Sequence, residues 1–267
     1  MIQHFIIPAL FILAAFLLYY PLERATAITR FRKTDAGYFL DMEYALLALL
    51  LGPLVWKIFI HTGLPWPGLK ADASPHLHAA GKHLPALLGF PLTLFVYDAV
   101  NAVRHRIFHM RRLWGFHSVH HSAEDVNWIS GFRFHPFESV VTIMIRLTVL
   151  ALLYATGIAS AGIVVAAVIF IYFYNSFIHT NCHWTFGPLQ RLLASPVYHR
   201  WHHSPDAAAM DKNFAGIFPV IDMAMGTYYM PQDRLPLISG LTGGQNGYPE
   251  SFWRQCAYPF RRAKSGS

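Results

Sequence analysis

Ten of the sixteen histidines in this 267-residue chain fall into four spaced clusters: His105-x3-His109, His117-x2-His120-His121, His179-x3-His183 and His199-x2-His202-His203. Side chains three and four residues apart on a helix share a face, with Cβ atoms about 5–6 Å apart. An HxxxH pair therefore aims two imidazoles in one direction, and HxxHH aims three. One such pair is common in ordinary proteins, and adjacent histidines have little packing use. All ten, buried without a partner, would be costly, and a metal supplies the partner. Ten nitrogens suffice for about two ions with four or five ligands each. The order HxxxH then HxxHH occurs twice, which suggests two half-sites closing on each other. Imidazole suits zinc, copper, iron and nickel alike. A structural zinc uses about four ligands, usually including cysteine, and neither Cys182 nor Cys256 has CxxC spacing. Two redox-active irons account better for so many nitrogens. The Glu-x-x-His pairs of soluble di-iron bundles are missing near these clusters.

Other polar residues can orient such ligands. Asp98 precedes His105 by two helical turns on the same face and is placed to accept a hydrogen bond from a ligand's free N–H. His135, in Arg133-Phe134-His135-Pro136-Phe137-Glu138, is an eleventh histidine, but the adjoining proline favours a turn and a supporting role. Glu138, Asn175, Asn127 and Asp222 are further supporting candidates. Trp128, Phe132, Phe134 and Tyr172, with Phe173 and Tyr174, could wall an apolar substrate channel; the competing reading is ordinary core or interfacial anchors. His4, His61, His76, His78 and His83 lie toward the opposite face and carry no expected catalytic role.

The elements that must hold these residues are membrane helices. Charged residues make up 13% of the chain and hydrophobic ones 54%, with a mean hydropathy of +0.33, whereas soluble domains carry about 25% charged residues. Apolar runs at 2–20, 41–60, 84–103 and 147–178 reach the length of a bilayer crossing. The last, broken near Gly157, Ser160 and Gly162, is either two spans or a hairpin that dips in and returns. The first run lacks a basic start and a small-residue cleavage site, so it reads as a retained span and not a signal peptide. Lys and Arg number four in 21–40, two in 61–83, five in 104–139 and eight from 179 onward, with none at 157–162. With the N-terminus outside, every segment obeys the positive-inside rule, and both histidine regions face the cytoplasm. The fold expected is an all-α integral membrane bundle of about four to five spans under a cytoplasmic helical cap. Residues 1–83 form N-terminal helices and a loop, 84–231 the catalytic domain, and 232–267 a cytoplasmic tail with a solvated basic end. The net charge of +7 is spread over loops, which points to anionic lipid and not to nucleic acid.

The two histidine regions, with Arg133–Glu138, Asn213-Phe214-Ala215-Gly216 and Asp222-Met223-Ala224-Met225-Gly226-Thr227, resemble the sterol desaturase / fatty acid hydroxylase superfamily from about Tyr97 to Pro231. The resemblance implies a non-haem enzyme with two iron ions that activates O2. It implies electrons from a separate donor of ferredoxin, cytochrome b5 or reductase type, since no haem-binding sequence is expected in the chain. All ten clustered histidines match the family's metal positions. The implied reaction is hydroxylation of a lipid-like substrate (fatty acyl, sterol or other isoprenoid); desaturation begins with the same hydrogen abstraction and stays open. Zinc can occupy such a site in a purified sample. Two other classes stand against this reading: a dizinc hydrolase at the lipid surface, and a metal carrier or sensor without chemistry. A carrier should show polar residues through its spans, and 2–20 and 147–178 offer almost none. The compact size points to a bacterial inner membrane, with the endoplasmic reticulum as the eukaryotic equivalent.

Overall fold

A computed structural model describes residues 3–29, 36–62, 83–244 and 246–262. His76 and His78 lie outside the described residues, as do Arg30, Arg32, Lys33, Lys70, Lys82 and Lys264. The described residues are helical, and their sole β-type pairing is an isolated antiparallel bridge between Ala27 and Cys182. In chain order the helices are α1 (Gln3–Thr26), α2 (Ala36–Thr62), α3 (Ala86–His109), α4 (Trp114–His121), α5 (Pro136–Ala155), α6 (Ala161–Ile178), α7 (Pro196–His202), α8 (Val220–Met225) and α9 (Phe252–Arg262). Five of them, α1, α2, α3, α5 and α6, are long and apolar enough to cross a membrane. Their outward faces carry exposed Leu, Ile and Phe, as lipid-facing helices do. The chain is a multi-pass membrane protein.

The apolar stretch 147–178 belongs to two separate helices. Gly157, at φ 77°, turns the chain after α5, and the Ser160 hydroxyl caps α6 by accepting from the Ile163 N–H. α5 begins at Pro136, earlier than hydropathy suggests, because its first turns carry Glu138, Ser139, Thr142 and Arg146 on an inward face. α3, α5 and α6 share one core built on Leu94, Leu150, Ile163 and Ile171. α1 and α2 close the bundle through Ala15, Tyr19 and Ala45, which pack on Trp128 and Phe132.

The ends of these helices sort to two sides. The Leu84 N–H donates to the Gly157 carbonyl at 3.0 Å, and a Cβ on Gly89 would meet the Ile158 carbonyl at 2.7 Å. The start of α3 and the α5–α6 turn therefore share one side. On the other side Glu23, near the end of α1, accepts from the backbone N–H groups of Trp128 at 2.7 Å and Asn181 at 3.0 Å. There Arg133 also pairs with Asp41 of α2. All four histidine clusters lie on this second side.

Among the described residues, those after 231 pack back onto the bundle. α9 returns to α4 and α2, where buried Gln255 accepts from the Tyr44 hydroxyl at 3.0 Å and donates to the Ser122 hydroxyl at 3.2 Å. Phe252 packs against Tyr44 with ring centroids 4.9 Å apart. α9 turns Phe252 and Gln255 inward and leaves Arg254 and Arg261 exposed beside Trp253 and Phe260.

Candidate metal centre

Helix ends bring the histidines together. His105 and His109 occupy the last turns of α3. His117, His120 and His121 lie on α4. His179 is the residue that ends α6, His199 and His202 lie on α7, and His203 follows it directly. Two groups result, each with ligand atoms within 4.8 Å of one another: His105, His109, His117, His121 and His202, and His120, His179, His199 and His203. The expectation of two half-sites needs amendment, since each group mixes both regions: His202 joins the first and His120 the second.

Outer hydrogen bonds set the direction of each ring. The Nδ1 of His105 lies 2.9 Å from the Phe214 carbonyl, that of His120 3.1 Å from the Arg133 carbonyl, that of His179 2.7 Å from the Asn175 carbonyl, and that of His202 2.8 Å from the Lys212 carbonyl. His117 and His109 use carboxylates instead, Glu138 at 2.8 Å and Asp211 at 2.9 Å. A carbonyl or carboxylate only accepts, so each of these six Nδ1 atoms carries the proton and each Nε2 turns a lone pair inward.

The interior then has nitrogens facing nitrogens. His105 and His117 meet at 3.0 Å through Nε2, as do His179 and His199, and His120 and His179 meet at 3.3 Å. His109 Nε2, His121 Nε2 and His202 Nε2 are buried with no hydrogen-bond partner. Facing lone pairs repel unless something electrophilic lies between them. Ligands at 2.0–2.1 Å around one tetrahedral ion stand about 3.4 Å apart, close to the spacing here. The donor set fits two metal ions.

Burial and the neighbouring imidazoles hold His120, His121, His199, His202 and His203 well below the usual histidine range. Burial brings His179 down to about 4. The rings are thus neutral at pH 7, the form that ligates.

His183 departs from the sequence expectation. Its Nδ1 donates to the Thr26 carbonyl at 2.9 Å, its ring is exposed, and it belongs to neither group. The helix ends at Ile178 and Cys182 is already extended in its bridge with Ala27, so the i, i+4 relation to His179 is lost.

The supporting residues divide. Glu138 is fully buried and accepts from both His117 and Arg104, the latter at 2.9 Å. Asp98 touches no ligand, contrary to the expectation. It accepts instead from the backbone N–H groups of Gly216, Ile217 and Phe218 at 2.7–2.9 Å, and so fixes the loop whose Phe214 carbonyl orients His105. Asp222 holds the same loop from the other side through the Phe214 and Ala215 N–H groups. His135 caps α5, accepting from the Phe137 N–H and donating to the Cys256 carbonyl; it is structural. Asn175 orients His179 with its main chain, while its side chain donates to the Gly131 carbonyl. The Asn127 side chain caps its own turn through Ile129 and Ser130. A Cβ on Gly131 would lie 2.9 Å from the Asn175 amide and 3.1 Å from His179 Nδ1, so only glycine lets this turn approach the centre.

Between α3, α5 and α6 lies a cavity of about 120 Å³ lined in part by Phe132, Phe134 and Tyr172. Phe134 stacks on His120 at 4.2 Å, so one aromatic ring separates the cavity from the second histidine group. Trp128 is not part of this lining; it is 1% exposed and packs near Phe16 of α1. Arg146 also lines the cavity. Its signal in the sequence is a lone basic residue inside a span, which is rarely without function.

Residues 90–227 match the family described as fatty acid hydroxylase. An ornithine lipid hydroxylase, OlsE, from Rhizobium tropici is 28% identical over 240 residues, covering 86% of this chain and 68% of the relative. Alkylglycerol monooxygenase from Danio rerio is 34% identical over 189 residues, 70% of this chain and 36% of the relative. The human alkylglycerol monooxygenase is 30% identical over 139 residues, 52% of this chain and 29% of its own length. The chain thus spans about two thirds of the bacterial relative and about a third of these two monooxygenases. No solved structure matches.

Proposed function

We propose that this chain, which belongs to the fatty acid hydroxylase family, is an O2-dependent membrane oxidoreductase that hydroxylates an unactivated C–H bond of a lipid. The observation that carries the proposal is the pair of inward-facing imidazole groups beside a cavity between membrane helices. Two iron ions, held by His105, His109, His117, His121 and His202 and by His120, His179, His199 and His203, would supply the activation of O2 and the oxidation of carbon.

The residues of the chain do the rest. The six carbonyl and carboxylate oxygens that accept from Nδ1–H fix the tautomer and direction of those rings before metal arrives. Glu138 leaves its charge beside His117 and Arg104, where it strengthens the donor without itself occupying a ligand position. Phe132, Phe134 and Tyr172 keep water from the carbon that reacts, and cavity walls built from α3, α5 and α6 bring a lipid chain up to Phe134, the ring between the cavity and the second histidine group. The relatives named as lipid hydroxylase and monooxygenases support a lipid substrate and an external electron source; a small soluble redox protein or reductase fits that role. The charge distribution over the loops supports placing the centre on the cytoplasmic side of a bacterial inner membrane.

Anaerobic purification followed by metal analysis and oxygen uptake tests this. Expected are about two irons per chain, one for each group, and O2 consumption that requires both reductant and lipid, with an alcohol as product. Bound zinc with ester cleavage in the absence of O2 overturns it.

A further inference from the structure

Arg146 stands ten residues into the 20-residue helix α5, in the middle of a membrane span. Its guanidinium lies over the Tyr172 ring, 4.4 Å from the centroid, and over the Tyr97 ring at 5.9 Å. Its Nε donates to the Tyr97 hydroxyl at 3.4 Å. Among the described residues no carboxylate forms an ion pair with it. Asp98, the nearby acid of the same cavity, is engaged by three backbone N–H groups.

A cation at this depth is expensive to leave unpaired, and two aromatic faces offset only part of the cost. The same cavity holds a polar group that does lack a partner, the buried Thr142 hydroxyl, one helical turn closer to the centre on the same face. A cavity that needed only apolar contact would carry neither. The guanidinium fork is suited to an oxyanion, which it can bind through two parallel N–H groups.

We propose that the cavity recognises a lipid through an anionic oxygen group, a carboxylate or a phosphate, that sits on Arg146 with Thr142 as an additional donor. Tyr172 precedes His179 by seven residues on α6 and Tyr97 precedes His105 by eight on α3. At 1.5 Å rise per residue both helices place the anion on the order of 10 Å below the histidine groups. Arg146 would thus set which end of the lipid enters and hold the chain pointed at the metals. Only what happens to the bound lipid rests on the oxygenase reading; binding itself does not.

The protein as purified, in nanodiscs of phosphatidylcholine, under argon and without reductant, is titrated at alkaline pH. Palmitate, methyl palmitate or lysophosphatidate competes against a fluorescent stearate. Expected is a preference for palmitate over its uncharged methyl ester of about tenfold or more, the size of one charge-assisted hydrogen bond. Arg146→Met should bind the two equally, and Arg146→Lys should keep part of the preference. Lysophosphatidate binding that depends on Arg146 identifies phosphate as the source, and its failure beside palmitate identifies carboxylate. Equal affinity for acid and ester in the unsubstituted protein, together with lysophosphatidate binding that does not depend on Arg146, overturns the proposal, as does a preference that survives in Arg146→Met. If that variant does not fold, the unsubstituted protein and Arg146→Lys decide the question alone. Intact discrimination here, beside no O2 consumption in the separate uptake assay with reductant and lipid, would sink the oxygenase reading and leave this one standing, and the opposite result would do the reverse.

Discussion

At the residue scale the chemistry of the centre is decided by which atom each ring presents. Helical spacing alone brings His105 beside His109 and gathers His117, His120 and His121, because those residues do lie on helices. The same rule fails for His183, where the helix has ended and the chain is extended. Replacing His183 by alanine should therefore leave metal content unchanged, whereas His202→Ala should remove at least one ion per chain; elemental analysis of the two variants compares them directly. Equal loss in both would return His183 to the ligand set. The orienting acceptors were less legible, because four of them are backbone carbonyls that any residue could supply. Of the two carboxylate acceptors, Asp211 on His109 went unread and Glu138, placed beside the histidine clusters, is found on His117; Glu138→Gln should weaken metal binding about 10–100-fold, read by competition with a chelator. The depressed titration of the rings has a consequence for the metal-free protein. Unfolding returns His179 from about 4 toward its ordinary 6.5, so between those values the unfolded chain binds the extra proton. Stability then rises with pH across that window and is lost as the pH falls from about 6.5. A thermal midpoint that stays flat between pH 7 and 5 would mean that the rings reach solvent.

At the element scale, short pieces of chain do the positioning that long helices cannot. α4 has eight residues and α7 seven, too few to be stable alone, so their register depends on what clamps them. The loop 213–218 is one clamp, with Asp98 on one side and Asp222 on the other, and the Asp222 carboxylate also accepts from the Tyr198 hydroxyl of α7 at 2.6 Å. Sequence reading found both acids but assigned Asp98 to a ligand, since spacing along one helix says nothing about a loop more than a hundred residues later. Asp98→Ala would leave three N–H groups without their acceptor and free the carbonyl that orients His105. The expected result is a loss of at least about 3 kcal/mol, two or more charge-assisted hydrogen bonds, together with preferential loss of metal from the group containing His105. Uniform loss from both groups, followed by spectroscopy of the remaining ion, would point to general unfolding instead. The helix boundaries show a similar limit. The run at 147–178 is legible as apolar but not as two helices, and α5 starts at Pro136 because its polar inward face lowers the local hydropathy.

At the scale of the whole molecule, five crossings and one functional side follow from each other. Among the described residues the five candidate spans put the start of α1 and the end of α6 on opposite faces, and the helix ends bearing histidine all fall on the face where α6 exits. Arg104, Arg106, Arg111, Arg112 and Arg133 lie on that side, while the α5–α6 turn at 156–160 carries no Lys or Arg. If the membrane is the bacterial inner membrane proposed above, the positive-inside rule predicts that the histidine side faces the cytoplasm, where reduced electron carriers are available. Cysteine accessibility measures this directly. Cys182 is buried and Cys256 half-buried, so a Cys256→Ser background is expected to be quiet toward an impermeant maleimide. In that background Thr156→Cys, at the exposed α5–α6 turn, should label in intact spheroplasts. Thr242→Cys, in the exposed loop before α9, should label only in inverted vesicles. The opposite pattern would place the centre outside the cell and deprive it of cytoplasmic reductant. Labelling of both sites from one side would contradict the five-helix crossing itself, because the two residues lie at opposite ends of the bundle.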